Sequence, residues 1–164
     1  MLTIRRQLTL FVDSEAIELI RYKFNRQQFD LIAAHVTLCR EDEIENLETV
    51  LENLKDLKFQ QHLNLKFRLP ERIDDGKGVH MPSAENNPEF DALRKVILCG
   101  ITGNPRKHLP HITLMHPRNS ACTDIIFNEI RNIHLPLEIK FDKVSFIEQR
   151  HDSAWCIVEE FFMG

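Results

Sequence analysis

The sequence predicts one α+β domain built from two related lobes, and three observations predict it. The chain of 164 residues is long enough for a hydrophobic core in a single domain. Amphipathic helical stretches alternate with short period-2 runs throughout. The tetrapeptide pattern H-x-T-L occurs twice, as His35-Val36-Thr37-Leu38 and His111-Ile112-Thr113-Leu114, each time inside a β-branched run. Hydrophobic residues make up 43% and charged residues 28%, the balance of a globular protein rather than a disordered or fibrous one. A net charge of −4 argues against a protein that coats extended duplex DNA, yet leaves room for a local cluster of donors around one phosphate.

Residues 2–12 alternate, with Leu2, Ile4, Leu8, Leu10 and Val12 on one face, and read as a half-buried strand. Asp13-Ser14 offers an N-cap to a helix carrying Ile17, Ile20 and Phe24 and running to about Gln28. Phe29 to Cys39 reads as the first motif strand. A second helix begins at Arg40-Glu41-Asp42 and carries Ile44, Leu47, Val50, Leu51 and Leu54. Residues 63–69 alternate as a strand, Asp74 to Gly78 form a turn, and Val79-His80-Met81 return. Asn87-Pro88 opens the next helix, with Phe90, Leu93 and Ile97 inward and Gly100 as its stop. Leu109 to Met115 is the second motif strand, followed by a helix over 120–133. Runs at 137–141, 144–147 and 155–158 complete the chain. Residues 1–164 are thus one domain with two internal repeats, about 14–83 and 86–162, alike in element order and each carrying one motif strand.

Residues i and i+2 of a strand share a face, so each motif presents an imidazole beside a hydroxyl. One H-x-T-L arises by accident in roughly a few per cent of chains this long, and two in far fewer. Two imidazoles across one cleft can divide acid and base duties, one taking a proton and the other delivering one to a leaving oxygen. Thr37 and Thr113 can donate to the non-bridging oxygens of a phosphate. Cys39 and Met115 alternate onto the same face and are candidates for the cleft floor. No metal is required by this chemistry.

With its two HxTx strands about half a chain apart, the lead-in Phe29-Asp30-Leu31-Ile32-Ala33-Ala34 and the Leu93-Arg94 helix, the sequence resembles the two-histidine phosphoesterase superfamily, which includes cyclic nucleotide phosphodiesterases and 2′-5′ RNA ligase-like proteins. The resemblance implies a bilobal fold in which two pseudo-symmetric antiparallel β-sheets form a central cleft with helices outside. It also implies that His35, Thr37, His111 and Thr113 line that cleft. The activity it implies is metal-independent and cofactor-free attack on a 2′,3′-cyclic or 2′-5′ phosphodiester of a nucleotide or RNA end. The alternatives are a non-catalytic module that binds RNA ends or nucleotides, and an RNA 2′-5′ ligase.

Arg40, Arg118, Arg106 and Lys107 lie near the motifs and are candidates for further phosphates or a base, solvated loop charges being the other reading. Lys66 and Arg68 alternate off an apolar strand face and are candidates for the cleft. Phe11 is placed either in the core or in the cleft against a base. Trp155 reads as a core or hairpin residue. His108, His111 and His116, spaced three and five apart with no Cys or carboxylate among them, make a poor zinc pattern. Cys39, Cys99, Cys122 and Cys156 form no CxxC pair and read as buried free thiols. Met1 to Arg6 lacks the apolar run of a signal peptide, so the expectation is a cytoplasmic monomer without a membrane segment.

Overall fold

A computed structural model describes residues 2–84 and 86–164 of the chain. The first strand, β1 (Ile4–Phe11), is followed by helices α1 (Glu15–Phe24) and α2 (Arg26–Leu31) and the first motif strand, β2 (His35–Cys39). Helix α3 (Leu47–Leu54) leads to strands β3 (Leu63–Lys66), β4 (Glu71–Ile73) and β5 (Gly78–Pro82). Helix α4 (Pro88–Ile97) precedes the second motif strand, β6 (His111–Met115). Helix α5 (Asp124–Arg131) and strands β7 (Glu138–Phe141), β8 (Lys143–Arg150) and β9 (Cys156–Phe162) complete the chain.

The strands named here all pair antiparallel. One sheet has the order β2-β1-β8-β9. A second has the order β6-β5-β4, and β3 pairs with β7. These last two groups join, because Phe67 bridges to Ser83, the Arg68 amide donates to Pro82 O (2.8 Å) and the Ala84 amide donates to Lys66 O (2.8 Å). β3 and β4 therefore act as one bent strand, broken at Leu69-Pro70 where proline has no N–H to give a ladder. The second sheet then runs β6-β5-β3/β4-β7 and mirrors the first, with a motif strand at the edge of each. The sheets draw on both sequence halves: β8 and β9 join β1 and β2, while β6 and β7 join β3 to β5.

Several elements differ from the expectation for local reasons. The first helix breaks at Asn25, whose side chain is drawn away to the far lobe, and Phe29 to Leu31 belong to α2 rather than to the motif strand. α3 starts at Leu47 under an Asn46 cap, because Glu41–Glu43 form a separate 3-10 turn. α5 starts at Asp124, where Thr123 Oγ1 accepts from the Ile126 amide. Gly76 and Gly100 adopt φ of +82°, the left-handed conformation expected of a turn and of a helix stop. Leu2 is exposed rather than part of the apolar face. Of the four free thiols, Cys39 and Cys122 are buried but Cys99 and Cys156 are exposed.

The core lies beneath the motif strands. Val36 and Leu38, and likewise Ile112 and Leu114, are fully buried among Leu8, Leu10, Ile17, Ile20, Met81 and Phe90. Burying side chains of this size stabilises by roughly 1.5–3 kcal/mol each, which pins the register of both strands. His35, Thr37, His111 and Thr113 consequently face the other way and stay half-buried.

Candidate active site

The edge strands β2 and β6 meet at the seam between the sheets, where side chains cross from one lobe to the other. His108, just ahead of β6, donates through Nε2 to Thr37 O (3.0 Å). Arg94 of α4, 1% exposed, donates to Leu38 O and forms a two-pronged ion pair with Glu43. Asn25, at the end of α1, accepts from the His116 amide (2.7 Å) and donates to Asn119 Oδ1 (2.9 Å). Each motif strand is thus held at its C-terminal end by a residue from the helical segment that precedes the other motif.

The two motif histidines are held alike. His35 Nδ1 donates to Ala33 O (2.8 Å) and His111 Nδ1 donates to Leu109 O (3.1 Å), in each case to the carbonyl two residues earlier. A carbonyl only accepts, so the Nδ1–H is fixed on both rings and Nε2 of the neutral ring carries the free lone pair. Burial pushes His35 down to about 4, against a partial upward pull from the Ala33 carbonyl; the charges of Arg21, His111 and His116 add to the lowering. At neutral pH, then, His35 is an uncharged acceptor.

Thr37 has its own support. Gln7 donates through Nε2 to Thr9 Oγ1 (2.6 Å) and to Thr37 Oγ1 (3.2 Å). With a lone pair of Thr37 engaged, the hydroxyl proton is free for an incoming acceptor. Phe11 is opposite His35 in the β1–β2 register, with ring centroids 6.3 Å apart and edges crossed, so it borders the site rather than filling the core.

The second motif is surrounded by imidazoles. His80 lies opposite Thr113 in the β5–β6 register, with its ring 5.5 Å from that of His111. The His108 ring is 6.3 Å from His111 and stacks on Phe90 at 6.1 Å. Burial is the main cause that lowers both His80 and His108, the latter to about 4. Neither His80 nor Arg94 is marked as part of the site by the sequence, and His108 enters there only as a zinc candidate.

The other sequence candidates separate. Arg40 and Arg118 stand just past the ends of β2 and β6; Arg40 lines a cleft with Thr37, and Arg118 lines a neighbouring cleft that holds no motif residue. Arg106 is bound to Asp42 and Glu43, and Lys107 to Asp91, so both read as loop ion pairs. Arg68 pairs with Glu71 at 3.2 Å, and its charge reaches His80. Lys66 is exposed on the β3–β7 pair opposite Glu138 and lines neither of the clefts that hold Arg40 and Arg118. Cys39 and Met115 are fully buried in the core and do not form a cleft floor. Trp155 is partly exposed and lines a cleft with Arg5, contrary to a core role. His116 accepts through Nδ1 from the Arg118 amide (3.1 Å), a strand-end role. Among the described residues no group of three His, Cys, Asp or Glu is placed to hold a metal ion. Among them, too, no helix is long and apolar enough to cross a membrane.

A family model of the 2′-5′ RNA ligase superfamily matches residues 11–153, which takes in both motif strands and both clasps. The chain belongs to the 2′-5′ RNA ligase superfamily. Solved structures of E. coli LigT share the fold of this superfamily member. The complex with 3′-AMP superposes with a TM-score of 0.63 at 15% identity, covering 97% of each chain. The complex with phosphate gives 0.62 at 16% identity, covering 97% of this chain and 96% of LigT. The protein TT0787 of Thermus thermophilus gives 0.61 at 15% identity, covering 97% of each chain. No curated protein matches the sequence.

Proposed function

We propose that this superfamily member is a phosphodiesterase that opens a 2′,3′-cyclic or 2′-5′ phosphodiester of a nucleotide or RNA end by two-histidine acid–base catalysis. The observation that carries the proposal is the matched pair of Nδ1–H bonds to Ala33 O and Leu109 O, which leaves two Nε2 atoms free on the strand faces that carry Thr37 and Thr113. His35, neutral in the free protein, takes a proton from water through Nε2 as the water oxygen attacks phosphorus. The bond from phosphorus to a ribose oxygen breaks, and His111, protonated, delivers its Nε2 proton to that oxygen. Thr37 and Thr113 donate their hydroxyl protons to the non-bridging oxygens, and the aim of Thr37 is set by Gln7. The solved complexes of LigT with 3′-AMP and with phosphate support a nucleotide monophosphate as the kind of group this cleft accommodates.

The test is a panel of nucleoside 2′,3′-cyclic phosphates, 2′-5′ oligoadenylates and RNA with cyclic ends, with products resolved by chromatography in the presence of chelator. Hydrolysis of at least one class, lost on His35→Ala or His111→Ala, is the expected result. Saturable binding without turnover across the panel would replace it with a binding module, and joined 2′-5′ ends would replace it with a ligase.

A further inference from the structure

Beside the His/Thr pair the surface continues as two clefts, of about 530 and 620 Å³, that share one wall. That wall is Trp155 with the Arg5 guanidinium, whose carbon lies 5.5 Å from the indole ring centre. The first cleft includes Thr37 and Arg40, so it opens directly from the phosphate site. The second lies beyond Trp155 and includes Arg118 and the amides of Gln28 and Asn119.

The platform is built rather than incidental. The Trp155 amide donates to Leu31 O (2.8 Å), which anchors the residue at the end of α2. Gln149, 6% exposed, accepts from Arg5 and donates to Ser153 O (2.8 Å), so a buried amide fixes both the guanidinium and the hairpin turn that carries the indole. Among the described residues no salt bridge engages Arg40 or Arg118, one on each side of the platform, whereas in the first cleft Asp42 pairs with Arg106 and Glu41 with Arg5 (3.7 Å), beside Glu45, and in the second Asp30 pairs with Arg26, beside Asp152.

We infer that Trp155 and Arg5 form a stacking subsite for the nucleotide adjacent to the one whose phosphate is attacked, so that the preferred substrate is a single-stranded RNA end of two or more nucleotides rather than a mononucleotide. The inference rests on the reading of the His/Thr pair as a phosphodiester site. The chemistry of the surface selects this ligand. An indole under a guanidinium offers a flat face that any base can stack on, and stacking tolerates every base because each has a π-face. Cations on either side suit the phosphates that flank a stacked base, and amides that donate and accept suit base edges. Each cleft alone has the size of a small-molecule site, and the pair has room for successive nucleotides.

Trp155 is the only tryptophan in the chain, so its fluorescence reports on this subsite alone. The probes are 3′-AMP and a trinucleotide of adenylate ending in a 3′-phosphate, neither of which contains the bond to be cleaved at the terminal phosphate. The trinucleotide is expected to quench the fluorescence saturably and to bind at least about tenfold more tightly than 3′-AMP, the scale of one base stacked on an aromatic ring. By calorimetry, Trp155→Ala should shrink that preference to about twofold or less, while Trp155→Phe should keep most of it. A trinucleotide that binds no more tightly than 3′-AMP, or a preference unchanged in Trp155→Ala, overturns the subsite. Quenching is read without turnover, so an inactive protein with a quenched Trp155 would keep the subsite and sink the hydrolase. An active protein with an unquenched Trp155 would do the reverse.

Discussion

The surroundings of the first motif and of the second are alike in backbone and unlike in chemistry. Both strands are sheet edges, both histidines donate Nδ1–H to the carbonyl two residues back, and both strand ends are clasped from the opposite lobe. Yet the residues opposite His35 and Thr37 are Phe11 and Thr9, whereas those opposite His111 and Thr113 are Pro82 and His80. The first clasp is a buried ion pair, Arg94 with Glu43, and the second is a pair of neutral amides, Asn25 with Asn119. Pseudo-symmetry gives the two motif histidines the same backbone setting, and their cross-strand neighbours differ. General acid–base catalysis needs two unequal groups, because one ring must be free to take a proton when the other has one to give.

The clasps offer the largest contrast in stability. Arg94→Met removes the donors to Leu38 O and leaves Glu43 with the half-exposed Arg106 as its remaining cation. We expect a loss at the lower end of the roughly 3–5 kcal/mol that breaking a buried pair costs, read by chemical denaturation. Asn25→Ala removes a neutral amide from the His116 N–H and from Asn119, and should cost about 1–3 kcal/mol. Equal losses would show that the charge of the first clasp adds nothing to the geometry it shares with the second.

A smaller effect is expected in the pH dependence of stability. His35 and His108 are both held near 4, below the ordinary histidine value of 6.5. Above about 6.5 both rings are neutral in the folded and unfolded chain, and neither contributes a slope. As the pH falls from about 6.5 towards 4, the unfolded chain takes up protons that the folded rings refuse, so stability is lost across that window. The share of His108, 7% exposed, is at most roughly 3 kcal/mol. His108→Gln should flatten the dependence measured by denaturation at a series of pH values. An unchanged slope would show that the ring is protonated in the fold.

Much of this comparison was legible in the sequence, and the reasons mark its limits. Strong period-2 alternation around buried Val36, Leu38, Ile112 and Leu114 determines which face His35, Thr37, His111 and Thr113 share, since a slip of one residue would bury the polar set. Helix boundaries are less legible where a side chain serves the other lobe, as Asn25 does in breaking the first helix. Pairings between strands distant in sequence are not legible at all, which is why His80 and Gln7 do not stand out as neighbours of the motifs. Arg94 reads only as part of a helix, because nothing local distinguishes a charged helix residue that faces solvent from one that reaches a carbonyl at Leu38. The sequence reads Trp155 as a core or hairpin residue, and the structure puts it in the β8–β9 hairpin connection, partly exposed beside Arg5.

The central claim is that two unlike histidines act as one unit on one phosphate. It is tested most directly by kcat/KM on a nucleoside 2′,3′-cyclic phosphate for the wild type, His35→Ala, His111→Ala and the double variant, in chelator. Each single replacement should cost about 10²–10⁴-fold, and the double variant should be scarcely worse than either single one, because a unit already broken has little more to lose. Losses that multiply in the double variant, or a double variant with full activity, would contradict the account.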